Sequence, residues 1–468
     1  MGLFRVPALF RWARRMSAYE QIKKLAKEHG CRAPQLLALA PKNDPFYVGS
    51  PGQLAKARWF AALWERFGYT TGVHLRRVHY QLVSPAEADR IKADGLPYEN
   101  TDRDWEYLLE AGKFARHLGL VDPAAFVDRR NPAPHVFLNP EEGERLGWDY
   151  YFPSWELPEI ETNLVSGIDW GLPEFEPLGY EYRVNLQPYH VEVWCEKSTM
   201  NDLLLPLCRG YGVNLVTGLG YMSITSVINL LGRVSELGKP CRILYISEFD
   251  PAGGGMPTSV ARHIEYVLHK EHADADVRLD NAMLTARQVE EYSLPRMPIK
   301  ATDRRKANFE AAHGAGAVEL DALEALHPGE FVRLLQERIE ELRDDQLSEK
   351  VGNALAEAEL KLQDEWEAWI GIYQPQLDEL KENISAIAES YQERLEGLNA
   401  SIQAELEPHR ERLGSLRQAV QGTLEAMKVD LPPLPEGEAV AESDGWLFDS
   451  RRGYFVQLGR YKGHRNGA

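Results

Sequence analysis

Apolar positions along the 468-residue chain change their period several times. From 55 to 140 they recur at three- and four-residue spacing in short runs, as on helices with one buried face. ARWFAALWERF at 57–67 predicts a helix ended by Gly68, and HLRRVHYQLVS predicts a second, stopped at Ser84-Pro85. NTDRDWEYLLEAGKFARHLG opens on an Asn100/Thr101 cap and sets Trp105, Leu108, Leu109 and Phe114 along one stripe. FVDRRNPAPHVFLNP then predicts two short extended pieces around a turn rich in Pro and Arg. Residues 141–188 are aromatic and proline-rich with little periodicity, and are expected to be an ordered connector. From 189 strands and helices alternate: YHVEVWCE, STMNDLLLPLCRG, VNLVTG, SITSVINLLGRV, CRILYISEF, a helix from Thr258 to His269, then DVRL. From 330 to 430 Leu377, Leu380, Ile384, Ile387, Tyr391, Leu395, Leu398 and Ile402 keep the spacing of a packed helical seam, which Pro375 and Pro408 are expected to break. An antiparallel hairpin and a dimerising coiled coil both fit that seam. The tail is proline-broken at LPPLPEGE and ends in WLFDSRRGYFVQLGRYKGHR, expected to form a hairpin turning at Arg451–Gly453.

These patterns predict a chain of α/β and α units: a basic arm and helices (1–54), a winged helix-turn-helix (55–140), the connector (141–188), a parallel, Rossmann-like α/β domain (189–335), a helical or coiled-coil region (336–430) and a C-terminal hairpin with a basic end (431–468). Three helices followed by a basic hairpin suit a module that lays one helix in a DNA groove, with Arg76, Arg77, Arg129 and Arg130 as candidate contacts. The absence of any apolar run of about 18 residues excludes a membrane span. Four scattered cysteines without CxxC spacing point to a reduced, cytoplasmic chain and argue against zinc. The formal net charge of -18 excludes coating of nucleic acid by bulk attraction. Charge is uneven, however: residues 1–40 carry eight Lys/Arg against two acids, and 341–430 carry nine against twenty. A DNA contact must therefore be a local basic surface.

Two strands of the α/β unit end in carboxylates, Glu196 after VEVWC and Glu248 with Asp250 in ISEFD. Glu248 and Asp250 are two apart, so on extended backbone they point the same way. Oxygen ligands without nearby His or Cys select a hard ion such as Mg²⁺ or Mn²⁺. Spacing alone equally fits strand-end acids paired with Lys197 or Arg242. Gly253-Gly254-Gly255 lacks a GxxxxGK[ST] context, so it is a tight turn and the chain has no Walker nucleotide site.

Together, CEK at 195–197, VTGLGYMS at 216–223 and ISEFDPAG at 246–253 resemble the Toprim domain of topoisomerase VI A subunits and related meiotic double-strand-break proteins. The resemblance covers about 90 residues and implies Glu196 as metal-linked general acid/base, with Glu196, Glu248 and Asp250 holding the metal. Glu248 stands where the family has Asp, and Met222 where it has Pro. That family carries a catalytic tyrosine in a preceding winged helix. In LRRVHYQLV, Tyr80 falls on the nucleophile position and Arg76 on an upstream arginine, one helical turn away. A phenol with a pKa of about 10 needs a cation or metal to attack phosphorus. His74 and His79 flank the helix as packing or surface residues. The resemblance further implies double-stranded DNA as substrate, Lys197 among its contacts, a homodimer, nucleoid association on DNA, and a separate ATPase subunit for strand passage. KATDRRKANFE at 300–310 and VELDALEALHP at 318–328 also resemble the region after the family's core; Asp303, Glu319 and Asp321 are expected there as solvated acids. Three functions follow as expectations: tyrosine-mediated DNA cleavage, a Toprim endonuclease that uses water (in phage or plasmid defence) with Tyr80 structural, and a non-catalytic DNA-binding scaffold.

Overall fold

The computed structural model describes residues 17–84, 87, 89–128, 131–138, 146–155, 157, 168–271, 274–391 and 399–465. In chain order, α1 (Ala18–Glu28), α2 (Pro51–Arg66), α3 (Leu75–Leu82) and α4 (Asp102–Leu118) are followed by β1 (Gly147–Tyr151) and β2 (Glu174–Leu178). Next come β3 (His190–Cys195), α5 (Asn201–Tyr211), β4 (Asn214–Thr217), α6 (Ile224–Leu237), β5 (Cys241–Ile246), α7 (Met256–Glu271) and β6 (Val277–Met283). The short helices α8 (Ala286–Glu291), α9 (Lys306–His313), α10 (Asp321–Leu326) and α11 (Glu330–Glu340) precede the long α12 (Leu347–Tyr391) and α13 (Asn399–Ala426). The chain closes with β7 (Phe448–Asp449) and α14 (Tyr454–Arg465). Two units divide it: Met1–Pro140, Pro188–Arg343 and Ala439–Ala468 form one; Glu141–Gln187 and Asp344–Glu438 form the other.

In the first unit, α2 and α4 open on Ser50 and Thr101, whose hydroxyls accept amide N–H bonds from Gln53 and Asp104. His74 caps α3 through its ring, accepting the Arg76 N–H. Phe60, Val78, Leu82, Leu108 and Phe126 close a separate core for these helices. The expected basic hairpin is not formed by the described part of 131–138. That stretch takes the open edge of β4 instead: His135 and Leu215 exchange two backbone bonds at 2.8 Å, and the Asn214 amide oxygen accepts from the Phe137 and Leu138 N–H groups. An unpaired strand edge offers a row of donors and acceptors that a passing extended segment satisfies. Arg129 and Arg130 lie outside the described residues, as does the basic arm at 1–16.

The main sheet has strand order β4-β3-β5-β6-β7, parallel except for β7. Its strands are buried on both faces. Ile243 and Tyr245 of β5 join the core with α6 and α7, while Leu244 and Ile246 join the core with α5 and α11. The tail is a strand and a helix rather than a hairpin. Gln457 of α14 accepts the Asp449 N–H at 3.2 Å and donates to the Leu447 carbonyl at 2.8 Å, making with one side chain the bonds a return strand would supply.

The second unit corrects two further expectations. The stretch 141–187 is no mere connector: β1 and β2 pair antiparallel, Phe175 meets Trp366 at 5.5 Å, and Trp155 enters the core of α12 and α13. Nor do the prolines end helices, since Pro375 lies inside α12 and Pro408 inside α13. The cost of a lost backbone bond is offset by the continuous seam of Tyr373, Leu377, Leu380 and Ile384. Beside Pro375, the Gln376 amide donates to the Ile372 carbonyl at 2.8 Å.

Candidate metal centre at the strand ends

The parallel sheet puts the predicted acids at one place. Cys195, the last residue of β3, lies opposite Ile246, the last of β5, and Glu196 donates its N–H to the Ile246 carbonyl at 3.2 Å. Chain connections leave β3 toward β4 and return to β5 on its other side, so the two carboxyl ends frame a switch-point crevice, the usual ligand position in such sheets. Glu196 is 5% exposed, and one of its oxygens accepts the Glu248 N–H at 2.5 Å. Asp250 turns one oxygen back to the Ala252 and Gly253 amides at 2.8 and 2.5 Å, which caps the DPAG turn. That turn requires glycine at 253: a Cβ there would stand 2.0 Å from the Glu248 carbonyl oxygen.

Lys197 is the cation the acids share. It pairs with Glu248 and lies 3.6 Å from Glu319 and 3.4 Å from Asp321. Burial alone would lower the Lys197 ammonium, but these carboxylates hold it well above its ordinary value. One lysine does not balance the edge. Burial, then the charges of Glu248 and Asp250, push the Glu196 carboxyl up to about 7 against the pull of the Glu248 N–H and Lys197. Burial likewise raises Glu248, with Lys197 opposing.

Glu319 and Asp321 are solvated acids as expected, their side chains 67% and 60% exposed near Lys197, whereas Asp303 forks onto Arg305 at 2.9 and 3.0 Å. Of the two suggested partners for the strand-end acids only Lys197 serves; Arg242, at the other end of β5, is held by Asp276 and Glu442. Tyr80 is 61% exposed on α3 with its ring against His79, and none of its described contacts reaches the acids. Arg76 stacks over Trp105 at 5.5 Å, while Arg77 is exposed on the same helix. His79 packs, bonded to the Tyr98 hydroxyl at 2.8 Å and Asn100 at 3.2 Å.

Two further groups, outside the residues expected at the site, stand beside the acids. Tyr221, half-exposed in the glycine turn after β4, reaches Gly255, and Arg305 stands 3.3 Å from its hydroxyl, within electrostatic range of Asp250. An exposed aromatic in GLGYMS and the arginine pair in KATDRRK were the available signals.

Among the described residues, no three His, Cys, Asp or Glu side chains converge as a ready metal cage. The reason is local: Glu248 is taken by Lys197, while Glu196 and Asp250 each spend one oxygen on backbone amides. Their second oxygens make no hydrogen bond among the described residues, and the buried Glu196 carboxyl lacks compensating charge. A hard divalent cation fits that donor set and that deficit, provided Glu248 leaves Lys197. No protein-family model matches the chain, and no curated protein matches it.

Proposed function

We propose that this edge cleaves DNA backbone phosphates with a divalent metal ion, Mg²⁺ or Mn²⁺, held by Glu196, Glu248 and Asp250. The observation that carries the reading is that Glu196, Glu248 and Asp250 follow the ends of two neighbouring strands at a switch-point crevice, with the Glu196 carboxyl raised to about 7. When bound, the ion would supply charge stabilisation for the phosphate in flight. By the resemblance, Glu196 would be the metal-linked general acid/base that moves a proton at the departing O3′. Lys197, Arg305 and the Tyr221 hydroxyl would hold the non-bridging phosphate oxygens. In the tyrosine mechanism Tyr80 gives its phenol proton to solvent and its oxygen bonds to phosphorus as the P–O3′ bond breaks, leaving a 5′-phosphotyrosyl link and a 3′-hydroxyl once O3′ is protonated. By the resemblance, the nucleophile would come from a second copy of the chain, making the active form a homodimer on double-stranded DNA. Strand passage would require a separate ATPase.

The same exposure of Tyr80 away from the acids favours a second reading, attack by water at the same carboxylates. Supercoiled plasmid incubated with the protein and Mg²⁺ or Mn²⁺, then resolved with and without protease, separates the two. Asp250→Ala is expected to lose all cleavage. Tyr80→Phe is expected to lose the protease-sensitive DNA adduct; if nicking survives in Tyr80→Phe without an adduct, water is the nucleophile. DNA binding without cleavage under any metal would leave only a scaffold.

A further inference from the structure

A cavity of about 720 Å³ flanks the acidic edge, in the size range of small-molecule sites. Glu248 and Asp250 form one wall, the end of β6 and Phe309 with His313 of α9 another, and Trp446 with α14 closes the far side. We infer that this cavity is a site for one unstacked nucleobase. The inference rests on the DNA reading above for the source of that base.

Away from Asp250, the charged groups around the cavity have partners. Arg287 pairs with Glu291 at 3.5 Å, Arg460 donates to the Asp444 carbonyl at 2.7 Å, Asp280 is held by Arg338 at 2.9 Å, and Glu248 by Lys197. An isolated phosphate would meet carboxylates on these walls, from Glu248, Asp250 and Asp280. What the walls do offer is flat and neutral. Phe249, Phe309 and His313 form a cluster with ring centres 4.8 to 5.2 Å apart. Burial holds both imidazoles uncharged, His464 falling to about 4 and His313 below its ordinary value. A neutral imidazole brings one donor and one acceptor, as the Asn281 amide brings both. The buried His464 Nε2 has no hydrogen-bond partner among the described residues. Aromatic faces with neutral donors and acceptors match the face and edge of a base. Room is provided by glycines of α14 at 459 and 463, and a Cβ on Gly459 would meet nothing within 4 Å.

The test uses the full chain without added metal, titrated against 2-aminopurine deoxyribonucleoside 5′-monophosphate, whose fluorescence reports base environment. The wild type is expected to give a saturable signal, and Gly459→Leu, which fills the cavity from the helix, to weaken it at least about tenfold. Phe309→Leu is expected to weaken it similarly, and decides the matter should the first variant not fold. Deoxyribose 5-phosphate, which lacks a base, is expected not to compete. No saturable signal, equal affinity in the wild type and the folded variants, or competition by the sugar phosphate would overturn the site. Mononucleotide binding by a chain that neither binds nor cuts plasmid would leave the base site standing and remove the cleavage reading. Plasmid cleavage with no mononucleotide binding would do the reverse.

Discussion

Glu192 and Glu196 stand four residues apart, on and just past β3, and neither is more than 5% exposed. Their carboxyls nevertheless move in opposite directions. Burial would raise Glu192, but hydrogen bonds from His190 and Arg233 hold it well below the usual carboxylate range. Arg233 of α6 forks onto both its oxygens at 2.7 and 2.9 Å, His190 lies at 2.8 Å, and the Trp194 indole donates at 2.8 Å. Burial also lowers His190, yet the neighbouring Cys241 sulfur and Glu192 carry it to about 10. Glu196 has a single backbone N–H and two like charges nearby. The first glutamate has both oxygens met by charged donors; the second is buried with less compensation, and its carboxyl is raised. Equal burial therefore gives opposite shifts, according to the donors that packing brings to each carboxyl.

That contrast can be broken in three ways. The largest effect belongs to Glu192→Ala, which strands Arg233 and His190 in the core and is expected to cost about 3–5 kcal/mol in denaturant unfolding; a loss under about 1 kcal/mol would mean the network stabilises little. Glu196→Gln should do the opposite. Because the folded carboxyl titrates near 7, above its unfolded value, its contribution is fully present below the unfolded value and is lost as pH rises through 7. The metal-free variant is therefore expected to be more stable than the wild type at pH 8, by on the order of 1–3 kcal/mol, and nearly equal at pH 4. Thermal melts across that range check it, and a gap that fails to widen with pH would refute the shift. Smallest is Lys197→Met, which removes a charge that holds Glu196 down and should move its midpoint up by less than about one pH unit, read by carboxyl NMR titration.

The acidic edge was legible because it obeys local rules. Two strongly apolar strands each run into a carboxylate, and period-2 geometry puts Glu248 and Asp250 on one side. The alternation of His190, Glu192 and Trp194 was equally visible, yet their buried network was not, since Arg233 and Asn214 arrive from other elements. The helix cap at Thr101 follows from residue type, while the helix expected over 57–67 begins earlier, at Pro51 behind Ser50; the fate of 135–138 and of the tail was decided by open edges of a sheet assembled from distant sequence. The prolines misled for a related reason: propensity sums over one turn, whereas the seam of α12 and α13 sums over many.

By itself, then, the order of residues determined the parallel strands, the Thr101 cap, the acids at the ends of two strands and the absence, among the described helices, of one long and apolar enough to cross a membrane. Only the tertiary structure decided which acids share a cation, that Tyr221 and Arg305 join them, and that a cavity opens beside them. Those outcomes depend on through-space distances between segments up to some hundreds of residues apart, and electrostatic demand is set by what packing brings within a few ångströms.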